Sequence, residues 1–106
     1  MNIRLSRDEV RVRMSVTEAN VFCKERAISE TLCIADSSMS LGLELVEQDN
    51  PLSISTVAAG LLVRVGRSAF EKMLSDQSQQ AEGIATSISE GLNLIVQIDI
   101  DRRRPA

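Results

Sequence analysis

A strand that runs straight into a capped helix occurs twice in this chain, the second time 51 residues after the first. The first copy is Val10 to Cys23, VRVRMSVTEANVFC, and the second is Leu61 to Leu74, LLVRVGRSAFEKML. Val10, Val12 and Met14 alternate with Arg11 and Arg13, which is the period of a strand with one apolar and one polar face. Ser15 stands three residues before Glu18, the spacing of a capping box in which each side chain satisfies an orphan amide of the helix start. Ala19, Phe22 and Cys23 then fall on one helical stripe. In the second copy Leu61, Val63 and Val65 take the strand face, and Phe70, Met73 and Leu74 take the stripe.

The rest of the chain fits around this unit. Ile3 and Leu5 flank Arg4 in a first strand, and the polar turn Ser6-Arg7-Asp8 joins it to the next as a hairpin. The helix is expected from Val16 to Arg26, without a strong C-cap. A third strand follows at Ala27–Ala35. A turn falls at Asp36-Ser37-Ser38, where short polar side chains bond their own backbone. A fourth strand has Leu41, Leu43 and Leu45 on one face. Gln48-Asp49-Asn50-Pro51 is the clearest break. The second half repeats the order. Leu52 and Ile54 form a strand, Ala58-Ala59-Gly60 a turn, and Leu61–Val65 a strand. A helix at Arg67–Leu74 is followed by a polar loop at Ser75–Gln80. A compositionally poor strand at Ala81–Ile88 turns at Ser89-Glu90-Gly91 into the alternating run Leu92–Ile100. At the constant spacing Ile3 matches Ile54, Val12 matches Val63, Arg13 matches Arg64, Leu41 matches Leu92 and Leu43 matches Leu94. The expected fold is therefore α+β: a pseudo-twofold ββαββ duplication with about eight short strands, in a barrel-like or sandwich arrangement, and two short helices. One domain covers residues 1–106, with internal repeats at 1–50 and 52–101 and a flexible tail at 102–106.

A chain of 106 residues buries a real core without metal or disulfide. That core is aliphatic, since Phe22 and Phe70 are the only aromatic residues. The formal net charge of −3 argues against a nucleic-acid surface. No run resembles a signal peptide or approaches the roughly 20 apolar residues of a membrane span, so the expected location is cytoplasmic. Cys23 and Cys33 are too few for a disulfide framework or a zinc site. Both are expected to be buried, reduced thiols acting as small hydrophobes.

Several segments together resemble a bacterial family of short proteins known only as a domain of unknown function. They are M-x-I-R-L at Met1–Leu5, V-R-V-R-M-S-x-x-E at Val10–Glu18, Phe22, E-T-L at Glu30–Leu32, S-L-x-L-E-L at Ser40–Leu45 and G-L-N-L-I-V at Gly91–Val96. The chain departs from that pattern at Leu43, where an aromatic is common, and at Met73, where a Trp is. The resemblance covers nearly the whole chain and implies no activity and no site residues. A fainter similarity, of element order alone, is to swapped-hairpin barrels of the AbrB type, in which a ββαββ unit closes a barrel with a second copy. Element order does not transfer function.

The chemistry available is limited. There is no His, which removes the commonest general base, the His-activated nucleophiles and the usual zinc ligands. Cys23 could be a nucleophile only if a Lys, Arg or helix terminus lowered its pKa, and it sits on an apolar stripe. The five glycines form no phosphate loop. Asp99 and Asp101 share a strand face but lack a third metal ligand. No cofactor motif is present and no metal is expected. The most suggestive set is Arg11, Arg13 and Arg64, with Arg4 on the neighbouring strand. Facing into a barrel, with Glu44 opposite, they form a pocket for phosphate or carboxylate. Facing out, they are ordinary solvated charge. A triphosphate-tunnel enzyme would need an E-x-E-x-K start, which Asp8 and Glu9 do not supply.

The leading functional expectation is thus a non-enzymatic interaction or scaffold module, working through a protein partner or self-association, with Leu92–Ile100 as a candidate sheet edge. The alternatives are an anion-binding barrel built on the arginines and, further off, a DNA-binding regulator using Arg4, Arg7, Arg11 and Arg13.

Overall fold

The computed structural model describes residues 1–89 and 91–99. The expected Asp99–Asp101 carboxylate pair, the end of the Leu92–Ile100 run, Glu90 of the last turn and the 102–106 tail lie wholly or partly outside them. The elements, in chain order, are β1 (Asn2–Leu5), β2 (Glu9–Met14), α1 (Val16–Glu25), β3 (Ala27–Ile34), β4 (Ser37–Val46), β5 (Leu52–Val57), β6 (Gly60–Gly66), α2 (Arg67–Leu74), α3 (Gln77–Glu82), β7 (Ile84–Ser89) and β8 (Leu92–Ile98). Four hairpins build two four-stranded sheets, β1-β2-β8-β7 and β3-β4-β6-β5. Each sheet joins the first hairpin of one half of the chain to the last hairpin of the other, through a central parallel pair, β2 with β8 and β4 with β6. Both helical connections therefore cross from one sheet to the other.

Period-2 alternation fixes which faces meet. Val10, Val12 and Met14 of β2, Leu41, Leu43 and Leu45 of β4, Val63 and Val65 of β6, and Leu94, Val96 and Ile98 of β8 are all buried in one shared core. The arrangement is a sandwich, not a closed barrel. On one side β5 lies beside β7 and the layers approach. On the other side the ammonium of Met1 reaches across to Glu18 of α1 and to Glu30 of β3, the latter at 3.2 Å. The helices meet over the core, with Phe22 of α1 and Phe70 of α2 edge to face at a centroid distance of 5.0 Å. Both rings are fully buried.

The capping box expected at Ser15 is formed. Its hydroxyl accepts from the Glu18 N–H at 3.1 Å, and the Glu18 carboxylate accepts from the Ser15 N–H at 2.9 Å. Ser15→Ala is expected to cost about 1 kcal/mol, read as a lower denaturation midpoint at unchanged m-value. The C-terminus of α1 is also capped: Arg26 adopts a left-handed conformation (φ 67°) and its N–H donates to the Phe22 carbonyl at 2.8 Å. The second helix has no side-chain cap because Gly66 stands at the equivalent position. A Cβ there would sit 2.6 Å from the Asn50 carbonyl oxygen, so the Gln48–Pro51 break, folded over this site, excludes a serine.

Four expectations are corrected. The segment expected as a polar loop and the start of a strand holds a third helix, α3, capped by Asp76, whose carboxylate accepts from the Ser78 N–H at 3.0 Å. This addition lengthens the second half. The buried residues of β4, Leu41, Leu43 and Leu45, accordingly correspond to Leu94, Val96 and Ile98, two residues further on than a constant spacing gives. The parallel registers Val12↔Val96 and Val63↔Leu43 show the same slip. A slip of two leaves every side chain on its expected face. The third correction is the β3–β4 turn, which is the pair Ala35-Asp36; Ser37 is already matched to Ile34. The fourth is Cys33, which is exposed, while Cys23 is half-buried against the core.

Candidate interaction edge

The expected arginine cluster divides between the two layers. Arg11 and Arg13 occupy the face of β2 that points away from the core, and Arg4 lies directly across from Arg11 on β1. Arg64 occupies the equivalent face of β6, in the other sheet. The apolar core separates the two faces, so Arg64 does not converge with Arg11 and Arg13. Arg11 is held by Glu9 of its own strand, with Nε to Oε2 at 2.8 Å. Arg64 is neighboured by Glu44 at 3.6 Å and donates to the Ser55 hydroxyl at 3.3 Å. Glu44 is thus its cross-strand neighbour on the outer face, not a counter-charge within an enclosed site. Among the described residues, neither Arg4 nor Arg13 has a carboxylate within ion-pairing distance.

The interior offers no chemistry of its own. Among the described residues every buried side chain is apolar, and no three His, Cys, Asp or Glu side chains gather as metal ligands. Burial, and secondarily the charge of Glu71, push the Cys23 thiol up; Arg67 only partly opposes them. That is the opposite of an activated nucleophile. The Met1 ammonium is also held above its ordinary value, chiefly by its hydrogen bond to Glu18. Burial pushes the Glu18 carboxyl up, but the hydrogen bonds from that ammonium and from Ser15 outweigh it, and the net direction is down.

The sheet edges are more informative. The run expected to offer one, β8, is a central strand with β2 on one side and β7 on the other. The true edges are β1, β7, β3 and β5. Sheet edges are commonly blunted by shortness, charge, proline or a bulge. β1 has four residues and carries Arg4. β7 breaks register between Ser87 and Ser89. β5 follows Pro51 and lies beside β7. Of these devices β3 has only charge, at a single residue. It is eight residues long, AISETLCI, in regular register with β4 throughout, on the side where the layers are not closed. Its one charged side chain, Glu30, is taken up by the Met1 ammonium.

The backbone of β3 is poised for a further strand. The Leu45 N–H donates to the Arg26 carbonyl at 2.9 Å, which sets the phase of the antiparallel ladder. Even-numbered residues of β3 direct their backbone groups to β4, and Ala27, Ser29, Thr31 and Cys33 direct theirs outward. The side chains of these four are exposed on the outer face of the sheet. Leu32 and its cross-strand neighbour Met39, on the inner face beyond the core, are 46% and 43% exposed. A cleft of about 420 Å³ is lined by Ser37, Ser38, Met39, Ala59 and Gly60, where β4 runs past the start of β6. Sequence reasoning missed the β3 edge because strand order, which decides what is an edge, depends on how the hairpins exchange. The local signal was there in the absence of Lys, Pro and Gly from residues 27–34.

Compared with known proteins, residues 1–102 match a family model described as a family of unknown function (DUF7009). No curated protein and no solved structure matches the chain.

Proposed function

We propose that this chain, which belongs to the DUF7009 family of unknown function, is a small non-enzymatic interaction module that binds by adding a strand to the edge of β3. The observation that carries this reading is the combination at β3 of length, regular register and outward backbone groups with no proline or bulge and a single charge, Glu30, held by the Met1 ammonium. Strand addition draws affinity from main-chain hydrogen bonds and specificity from alternate side chains. Here those would be the outward row Ser29, Thr31 and Cys33. On this reading the module works in a reducing compartment such as the cytoplasm, since Cys33 is an exposed free thiol. The matched faces of the two halves favour an internal repeat.

The test uses Thr31→Pro. The Thr31 N–H points outward, so proline leaves the β3–β4 ladder intact and removes a donor from the open edge. Proteins captured from a lysate by the natural chain are expected to be lost with Thr31→Pro and to protect the amides of Ser29, Thr31 and Cys33 from hydrogen exchange. Capture that ignores Thr31→Pro, or that leaves those amides unprotected, would rule the reading out.

A second reading has an observation in its favour: Arg4, Arg11 and Arg13 share one outer sheet face. This is an open face for an anionic partner. It predicts thermal stabilisation by polyphosphate that Arg13→Ala removes and Arg64→Ala leaves intact. Stabilisation lost equally in both variants, or seen in neither the natural chain nor the variants, would count against it.

A further inference from the structure

We propose that the strand added to β3 is the β3 of a second copy, antiparallel across a two-fold axis that passes through Thr31. The inference rests on the strand-addition reading and identifies its partner. Opposed residues of an antiparallel pair share a face, and the outward backbone groups belong to odd-numbered residues, so only a few registers are open. One with Glu30 on the axis sets two carboxylates directly opposite each other, which is destabilising. One with Leu32 on the axis shortens the ladder, because residue 35 already lies in the turn. With Thr31 on the axis, Thr31 meets Thr31, and Ser29 meets Cys33 twice. This ladder has about six backbone hydrogen bonds, two for each such pair.

A ladder with Ser29 on the axis is equally long, and charge decides for Thr31. With Thr31 on the axis, Arg26, just before β3, lies at the end of the ladder where the second copy's β3–β4 turn carries Asp36, and the same holds at the other end, so opposite charges meet at both ends. Both residues are exposed. Glu30 falls opposite Leu32 of the second copy, and its carboxylate keeps the Met1 ammonium as partner. The result is a continuous eight-stranded sheet in which the edge of each copy protects that of the other. An interface of this kind is small, so dissociation in the micromolar range is expected.

Light scattering after size exclusion should show a mass that doubles between about 1 µM and about 500 µM, and Thr31→Pro should hold the monomer mass throughout. Register is read by oxidative cross-linking in a Cys23→Ala, Cys33→Ser background. Thr31→Cys is expected to give a covalent dimer, and Glu30→Cys and Leu32→Cys are not. Arg26→Asp should weaken dimerisation several-fold, and adding Asp36→Arg should restore it. A monomer at every concentration overturns the inference, as does cross-linking at residue 30 or 32 in place of 31. Such a failure leaves strand addition standing if Thr31→Pro still abolishes capture of another protein; loss of both removes the parent reading as well.

Discussion

Phe22→Ala is expected to lower the free energy of unfolding by about 3–5 kcal/mol, among the largest single-residue effects in the chain. The ring is fully buried and meets Phe70 edge to face at an interplanar angle of 86°. Removing it forfeits the transfer energy of an aromatic side chain and leaves a cavity where the two helices meet. The core has no aromatic ring besides these two, and the aliphatic chains around them sit on sheets that do not easily shift inward to fill the space. Against a typical total of about 5–15 kcal/mol, the variant sits near the limit of folding. Phe70→Ala should cost a similar amount. The double variant should cost less than the sum, because each single change already abolishes the ring contact. Chemical denaturation followed by circular dichroism measures all three. A loss below about 1 kcal/mol for Phe22→Ala would mean the helices do not share this core.

Gly60→Ala is expected to cost about 3 kcal/mol, at the upper end of overpacking penalties. Gly60 opens β6 opposite Ser40, and a Cβ on it would run into the backbone of Ser40. A clash with backbone is not relieved by rotating a side chain. The Ser40 N–H also donates to the Ala59 carbonyl at 2.8 Å, so yielding here gives up the first bond of the central parallel pair. The loss should appear as a lower midpoint and as faster hydrogen exchange at Ser40. A stability change within about 0.5 kcal/mol would mean that β4 and β6 part freely at this end.

The two predictions differ in how far the sequence anticipates them. Phe22 and Phe70 are visible as helix-stripe aromatics in an otherwise aliphatic chain, and the burial of both follows from periodicity. Gly60 reads only as a turn residue, because nothing local says that the chain must pass so close to Ser40. The same division runs through the fold. Alternation identified the faces of β2, β4, β5, β6 and β8 that enter the core, though not that of β7, and the Ser15–Glu18 spacing identified a cap that is formed. The α3 helix was not legible: its six residues carry no apolar stripe, and Asp76 was the only start signal. The arginines show the limit most clearly. Arg13 and Arg64 stand at equivalent positions in the two halves, and that equivalence suggested one site. The exchange of hairpins puts each on the outer face of a different layer. The β3 edge lay hidden for the same reason, since pairing order follows from tertiary exchange and not from local pattern.

Strand addition at β3 requires that its outward backbone groups be used. Amide hydrogen exchange resolved by residue, at low and high protein concentration, measures this directly. The inward amides of Ile28, Glu30 and Leu32 should be protected at both concentrations by the β4 ladder. The outward amides of Ser29, Thr31 and Cys33 should exchange freely when dilute and gain protection when concentrated, and Thr31→Pro should abolish the gain at Ser29 and Cys33. Outward amides that exchange freely at every concentration, and remain so with proteins captured from a lysate, would contradict strand addition at β3.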